Sequence, residues 1–585
     1  MPGISGALNI AKWALYADQL AMEITSNNIA NANTPGYSKQ SLRLQANYPI
    51  TMGPGQIGTG VMAKEVLRAY DYFLNEQVCE KKSDYSKYSA QKEALEEIEM
   101  IFNESDETGI NKLTGEFWNA WSDVANNPDS LPERDALLAK TTNLVQAIQA
   151  IDYDLRSYQR HLDSNIQVSV EKINTMIDEI ADLNQQISTV EVKGMINAND
   201  LRDKRDMLLE QLSEYMGISY YEEQQSGQVM VYILGGTPLV LGNETYHLSS
   251  EKQDTDGTPT DYTQVFWNDH SGRQVNITNR LEKGKIAGWV DVRDNRIESY
   301  INSMNTFTRE LIWQVNSLHS AGTGLASLIS LTSTADVSAT DVLDADFRFS
   351  DRFNQGGSFD IVVYDQDGNV VSDNPITLAA GATVGDLIND INSVSHMNAA
   401  ITSGNKFSIT SESGYTFAIN PTDGADNNNA LAILGINTFF DWDESAGDFT
   451  QTIGINPSIE SNPQAISAGH LDENKKIAPG DNQVALDIYG LQDAVIDIDG
   501  SNTTLDSYYS SFVSDVGVHV QNAQMNEKYN DTLLSQYTKR KESITGVNLD
   551  EEMAQILKFQ HAYQAAAKLI SISDEMLQTL LSIKQ

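Results

Sequence analysis

Apolar side chains recur every seven residues near both ends of this chain. Spacings of three and four place such side chains on one stripe of a helix, and a stripe kept over four heptads is typical of a coiled-coil seam. The pattern predicts one helix at each end, with its stripe packing against the other helix or against further copies of the chain. The stripe positions are Leu8, Leu15, Met22 and Ile29 at one end, and Met553, Ile556, Tyr563, Ile570, Leu577 and Leu581 at the other.

The first stripe runs into a polar turn. A proline disfavours helix at the preceding residue and removes a backbone donor, and Pro-Gly suits the two central positions of a type II turn. Asparagine side chains before the proline can hydrogen-bond the frayed helix end. At the other terminus, Asn548 is predicted to cap the final helix, with Glu551 at its third position. The sequence predicts that the first helix stops in a turn made by Asn31, Asn33, Thr34, Pro35, Gly36 and Tyr37.

The middle of the chain alternates between helical and β patterns. Residues 72–217 are rich in helix-forming side chains, and Pro128 and Pro132 mark a loop within them. Four apolar segments between residues 229 and 277 are bounded by Gly, Asn and Asp, as strands are. We therefore expect a multidomain α+β fold. Its parts are a coiled-coil domain formed by the N- and C-terminal helices, a long-helix bundle domain, and inserted β-rich outer domains.

Several segments carry a family resemblance. Residues 28–38 resemble the N-terminal signature of the bacterial flagellar axial proteins, the family of rod, hook and hook-associated subunits, and residues 546–567 resemble the C-terminal half of that signature. Residues 198–206 and 434–440 are similar to landmarks of the hook-associated members. On charge spacing alone, residues 198–206 are interpreted as a solvated helix face.

The resemblance implies a structural subunit of the flagellum that forms a junction ring between hook and filament and is needed for filament assembly and motility. The alternative within the family is a hook or distal-rod protein. Implied partners are further copies in a helical ring, the hook protein, the next hook-associated junction protein and an export chaperone on the C-terminal helix. The implied location is extracellular, after type III export without a cleaved signal peptide. A secretory signal and a membrane-length apolar run are not evident in the sequence.

The patterns and the resemblance together divide the chain into seven segments. Both ends are expected to form one inner-tube domain, and the intervening segments are expected to lie outside it. The segments are 1–50 (N-terminal half of the coiled-coil inner-tube domain), 51–216 (first part of a helix-rich domain), 217–284 (β-rich), 285–325 (helical return), 326–455 (inserted acidic β-rich outer domain), 456–545 (last part of the helix-rich domain) and 546–585 (C-terminal half of the inner-tube domain).

The negative charge of the chain lies almost entirely in its middle. The chain has 39 Lys and Arg against 81 Asp and Glu, for a net charge of −42. Residues 1–50 hold three basic and two acidic side chains, and residues 546–585 hold three and five. So acidic a chain is unsuited to nucleic acid or to an anionic membrane surface. Nearly neutral ends suit surfaces that pack against many copies.

The sequence offers no pattern of catalytic residues. The eight histidines are scattered without metal-ligand spacing, and the zincin, nucleophile-elbow and phosphate-loop motifs do not occur. A G-x-G-x-x-G match at 53–58 contains Pro54 and precedes a strand-like stretch instead of following one, which favours a turn. Cys79 is expected to be a buried, inert thiol and His319 a cap or packing residue. We therefore expect no enzyme, cofactor or metal; an acidic hydrolase is the alternative from another class.

Overall fold

A computed structural model describes residues 2–52, 55–102, 109–192, 195–253, 259–422, 427–445 and 447–583. They form a mixed helical and β structure, as predicted. No helix among these residues is long and apolar enough to cross a membrane. The helices are α1 (Pro2–Ala30), α2 (Tyr72–Ile101), α3 (Ile110–Asn126), α4 (Leu131–Val190), α5 (Asn199–Tyr215), α6 (Gly284–Asp291), α7 (Ile297–His319), α8 (Val384–Asn392), α9 (Ala430–Ile433), α10 (Phe449–Thr452), α11 (Pro457–Ser461), α12 (Gln483–Gly490), α13 (Leu505–Thr545) and α14 (Leu549–Ile583).

The strands are short and pair into several small antiparallel sheets. They are β1 (Gln40–Ala46), β2 (Ile50–Met52), β3 (Gly55–Ile57), β4 (Val61–Arg68), β5 (Ile218–Glu222), β6 (Val229–Ile233), β7 (Thr237–Leu241), β8 (Glu244–Thr245), β9 (Leu248–Gln253), β10 (Pro259–Asn268), β11 (Gln274–Asn276), β12 (Ser330–Asp336), β13 (Ser358–Tyr364), β14 (Val370–Thr377), β15 (Met397–Ile401), β16 (Lys406–Ser411), β17 (Thr416–Pro421), β18 (Phe440–Asp441), β19 (Gly454–Ile455), β20 (Ile496–Ile498) and β21 (Ser501–Thr503).

The chain divides into two compact units. The first comprises Met1–Leu95, Arg160–Arg293 and Gln521–Gln585, and the second comprises Glu96–Gln159 and Asp294–Val520. The division into seven segments made from the sequence stays a prediction.

The core of the first unit lies where α4 and α5 meet the sheet β5–β8. An apolar stripe on α4 is buried from Ile166 to Ile187, and its members Ile173 and Ile177 pack with Leu212 of α5 and with Val231 and Val240 of the sheet. The first two of the four strands predicted between residues 229 and 277 are confirmed as β6 and β7, which pair as an antiparallel hairpin. Cys79 lies in the same core, where burial raises the pKa of its thiol to about 12, so the expectation of a buried thiol is confirmed.

In the second unit, the acidic segment forms two three-stranded sheets, with strand orders β14-β13-β17 and β12-β16-β15. All seven positions of β13 are buried, and Val362 and Tyr364 pack with Ala418 of β17 and with Leu471 and Ile477. A tight turn joins β13 to β14: Asp365 Oδ1 accepts from the backbone N–H groups of Asp367 and Asn369, and Gly368 has φ +78°. Residues 456–504, expected to be mainly helical, instead hold short helices and the β20–β21 hairpin; prolines and glycines interrupt the helical pattern there.

The landmark at 434–440 joins α7 to the β sheets of the second unit. The Asn437 side chain donates to the carbonyls of Ser320 and Gly322 at 3.1 Å, which satisfies the C-terminal end of α7. His319 is fully buried beside it, donating from Nδ1 to the Asn437 carbonyl at 2.7 Å and accepting at Nε2 from the Ser467 N–H at 2.8 Å. The predicted packing role of His319 is confirmed, and its two hydrogen bonds also tie three segments together.

Candidate assembly site

The two terminal helices, both in the first unit, lie against each other in antiparallel orientation. Asn28, near the end of α1, donates to Glu552, near the start of α14, at 2.8 Å. One helical turn or two earlier on α1, Ala21 and Thr25 face Gln555 and Phe559 around a shared cavity of about 180 Å³. Because residue numbers fall along one helix as they rise along the other, the pairing is antiparallel.

Small and polar side chains, rather than large apolar ones, fill the contact between α1 and α14. Small residues let two helix backbones approach closely, and the large side chains are then left at the margins of the contact. The fully buried positions are Ala11, Ala17, Ala21, Thr25 and Asn28 on α1, and Glu552, Ala566 and Ser573 on α14.

The predicted stripe residues lie at the edges of this contact or in solvent. On α1 all four are half-buried; on α14 Ile556, Tyr563 and Ile570 are half-buried. Met553 is 58 % exposed, Leu577 38 % and Leu581 67 %. The prediction that these residues pack against other copies stays a prediction. The four half-buried stripe residues of α1 are Leu8, Leu15, Met22 and Ile29.

The predicted turn at the end of α1 has type II geometry. The Tyr37 N–H donates to the Thr34 carbonyl at 3.2 Å, Pro35 and Gly36 occupy the central positions, and Gly36 has φ +78°. The Asn31 side chain donates to the Asn27 carbonyl at 3.1 Å, as expected of an asparagine at a frayed helix end. Of the remaining turn residue, Asn33, the structure shows only that its side chain is exposed.

A buried polar cluster anchors this turn to the start of the first strand. The Asn28 side chain donates to the Gln40 carbonyl at 2.8 Å and accepts from the Gln40 N–H at 2.9 Å, pairing with that backbone as another strand would. It also accepts from the Tyr37 hydroxyl at 2.8 Å. Burial, followed by the nearby charges of Asp200 and Asp203, raises the pKa of Tyr37 to about 12, so this hydroxyl stays a donor.

The start of α14 is attached to the same cluster by charge. Glu552 is only 2 % exposed and receives the Asn28 amide and, at 2.9 Å, the Lys39 ammonium. The hydrogen bond between the Lys39 ammonium and Glu552 is the main cause that raises the pKa of Lys39. The predicted cap is confirmed, because Asn548 Oδ1 accepts from the Asp550 N–H at 3.0 Å.

The segment 198–206 is not the solvated helix face that its charge spacing suggested. Asp203 is buried, accepting from the Ser38 N–H at 2.9 Å and pairing with Arg68 at 2.7 Å. Arg205 is also buried and donates to Glu222 at 2.8 Å and to the Asn184 side chain at 3.0 Å. The interpretation as a solvated face was wrong, because residues distant in sequence pack against the side of α5 that charge spacing alone had placed in solvent.

Sequence reasoning missed Asn28, Glu552 and Asp203 as parts of the site. Each lies in a segment that carries the family resemblance, but amide and acidic side chains are abundant in this chain and nothing in the sequence set these three apart. The turn and the loop between α13 and α14 line a polar groove of about 920 Å³ that includes Glu210 and Lys541. Among the described residues, no three His, Cys, Asp or Glu side chains gather as a metal ion would require.

Three family models of flagellar proteins match separate parts of the chain. Residues 8–37 match the model of the flagella basal body rod protein family, residues 95–329 that of the flagellar hook-associated protein FlgK helical domain, and residues 543–583 that of the flagellar basal body rod FlgEFG protein C-terminal family. The outer two matches cover the paired helices α1 and α14.

Full-length relatives are also found. The chain is 25 % identical to flagellar hook-associated protein 1 of Bacillus subtilis, over 98 % of this chain and 97 % of the relative, and 25 % identical to that of Escherichia coli, over 99 % and 100 %. The flagellar hook junction protein FlgK from Burkholderia pseudomallei has a similar fold, with a TM-score of 0.51 at 16 % identity over 80 % of this chain and all of that structure.

The paired terminal helices and the matches to them define a structural protein of the bacterial flagellum. Within that class, the matching helical domain and the full-length relatives place the chain in the flagellar hook-associated protein 1 family.

Proposed function

We propose that this chain is the subunit of a junction ring between the flagellar hook and filament, and that filaments cannot assemble without it. The observation that carries the proposal is the antiparallel pair of α1 and α14, which buries small side chains within the chain and leaves large ones outside it. A monomer gains nothing from Leu, Met and Trp in water, whereas a neighbour that covers them stabilises an assembly.

The assembly would be a helical ring of identical copies. The exposed face of α14 is aliphatic, with Met553, Leu557 and Leu581, whereas the exposed face of α1 carries Trp13 and Tyr16. Two unlike surfaces on one subunit favour a heterologous contact, which repeats around a ring or along a helix instead of closing as a dimer.

The further partners follow from this role. The hook protein and the next hook-associated junction protein would contact the two sides of the ring, and an export chaperone would cover the aliphatic face of α14 before assembly. We propose an extracellular location, reached by type III export without a cleaved signal peptide. No catalytic activity, cofactor, nucleic acid or membrane takes part in this proposal.

The experiment is deletion of the gene followed by complementation. The proposal expects hooks without filaments in the deletion strain and restoration by the wild-type gene. A deletion strain that still builds filaments would overturn the proposal, and one that lacks hooks altogether would favour the alternative of a hook or distal-rod protein.

Substitution of the stripe then tests which side chains carry the assembly. The expected result is that Met553→Ser/Leu581→Ser fails to restore filaments, because both side chains are exposed and the variant monomer keeps its buried contacts. Gln560→Ser, also exposed on α14, is the matched control and should restore them.

A further inference from the structure

One end of the first unit is almost free of charge. No charged side chain occurs in residues 2–11, 44–63 or 576–583, although the chain has a net charge of −42. The first segment begins α1, the second includes the hairpin tip formed by β2 and β3, and the third ends α14. We call residues 2–11, 48–52, 55–57 and 576–583 the uncharged end.

Contacts within the first unit bring these three segments to the same end. The antiparallel pairing places the last turn of α14 beside the first turns of α1. The hairpin of β1 and β4 also runs back along α1: Gln40 pairs with Asn28, and a Cβ built on Gly60 would lie 3.3 Å from Ile10 Cα. Gly60, which pairs with Asn47 at the base of the tip, thus lies beside the third turn of α1.

The tip carries apolar side chains in water. Tyr48 is 82 % exposed, and Ile50 and Ile57 are about half exposed. Ile50 and Ile57 are direct cross-strand partners and therefore share one face of the ribbon, whereas Thr51 and Gln56, also partners, share the other face. One face of the tip is thus apolar and the other is polar.

We infer that the apolar face of the hairpin tip docks onto the C-terminal part of α14 in a second copy of this chain. This inference rests on the proposed function, in which copies stand side by side. In a neighbouring copy of the same orientation, the C-terminal part of α14 lies at the same level as the tip, since both segments belong to the uncharged end. That part of α14 exposes Met576, Leu577 and Leu580, which offer the tip an aliphatic surface.

The charge distribution favours a second copy over another partner. An acidic surface would repel an identical acidic surface, so contacts between copies are most favourable where the charge is absent. A basic partner would gain nothing from the uncharged end and would bind the acidic middle instead. Tyr48, large and rigid, suits the centre of such a contact.

The test compares the two faces of the ribbon with the same added charge. In a deletion strain, we expect full-length Ile50→Asp/Ile57→Asp to be secreted but to give no filaments and no swimming. Thr51→Asp/Gln56→Asp should restore both. Circular dichroism of the purified variants checks that each is folded. Filaments with the first variant, or their loss with both, would overturn the inference while leaving the proposed function intact.

Cross-linking identifies the partner. A Tyr48→Cys/Leu580→Cys variant in assembled flagella should give, with a short bismaleimide, a ladder of linked copies that each single variant lacks. Native Cys79 does not interfere, since it is buried. A product linked to a different protein, or no product in cells that carry filaments, would overturn the inference.

Discussion

Acid should weaken the second unit through His319. The pKa of this histidine is lowered from 6.5 to about 4, chiefly by burial, because the site accommodates only the neutral ring. Arg134 nearby adds to this by repelling a second positive charge. Since the unfolded histidine has the higher pKa, the unfolded state binds more protons between pH 6.5 and pH 4. The contribution of the neutral, buried His319 to stability is therefore complete above pH 6.5 and is lost as the pH falls toward 4.

The size of the effect follows from the shift. One pKa unit corresponds to about 1.4 kcal/mol, so the free energy of unfolding falls by about 3 kcal/mol over this range through His319 alone. Acidic groups titrate in the same range, so the effect must be read as a difference from a variant. In His319→Gln, a neutral amide keeps an acceptor for the Ser467 N–H and has no proton to take up.

The assay is urea denaturation between pH 7.5 and pH 4.5, followed by tryptophan fluorescence. Trp121 reports on the site directly, because its ring centre lies 6.3 Å from that of His319. We expect the advantage of the wild type over His319→Gln to shrink by about 1.4 kcal/mol per pH unit below pH 6. Asn302→Gln, exposed on α7 and without a titratable group, serves as the control and should leave the pH dependence as in the wild type. Parallel pH curves for wild type and His319→Gln would refute the reasoning.

Two further predictions concern the assembly site. Glu552→Ala leaves a buried amide N–H of Asn28 without its acceptor and should lower the free energy of unfolding, measured by urea denaturation, by about 1–3 kcal/mol. The control Glu551→Ala, at an exposed position, should lower it by less than about 1 kcal/mol. Equal losses would contradict the buried cluster. Gly36→Ala forces a side chain into φ +78° and should lower the free energy of unfolding by about 1–2 kcal/mol. The control Gly58→Ala meets open space and should leave the midpoint of urea denaturation almost unchanged. No loss of stability in Gly36→Ala would argue against the type II turn.

The turn and the helices were predictable because their determinants are local. Pro35 and Gly36 define a type II turn by their own backbone preferences, and Asn548 caps α14 through neighbours two residues away. The stripe of α4 was equally readable, since a helix that buries one face needs apolar residues at helical spacing regardless of what covers them.

The interior of the assembly site was not predictable, because it depends on distant partners. The heptads identified α1 and α14 correctly, but the antiparallel contact uses Ala17 and Ala21 and leaves the larger residues outside. Asp203 and Arg205 resembled solvent-facing charges, since spacing says nothing of a partner such as Arg68 arriving from another part of the chain. His319 was assigned to packing, but its two hydrogen bonds come from segments more than a hundred residues away.

The bond between Asn28 and Glu552 joins residues 524 positions apart. Among the described elements of the first unit, α1 comes first along the chain and its helical partner α14 comes after all the others. A product cut short anywhere before residue 549 therefore keeps an α1 that has nothing to pair with. The pairing thus makes the first unit depend on two distant parts of the chain: a product that lacks residues 549–583 cannot close it.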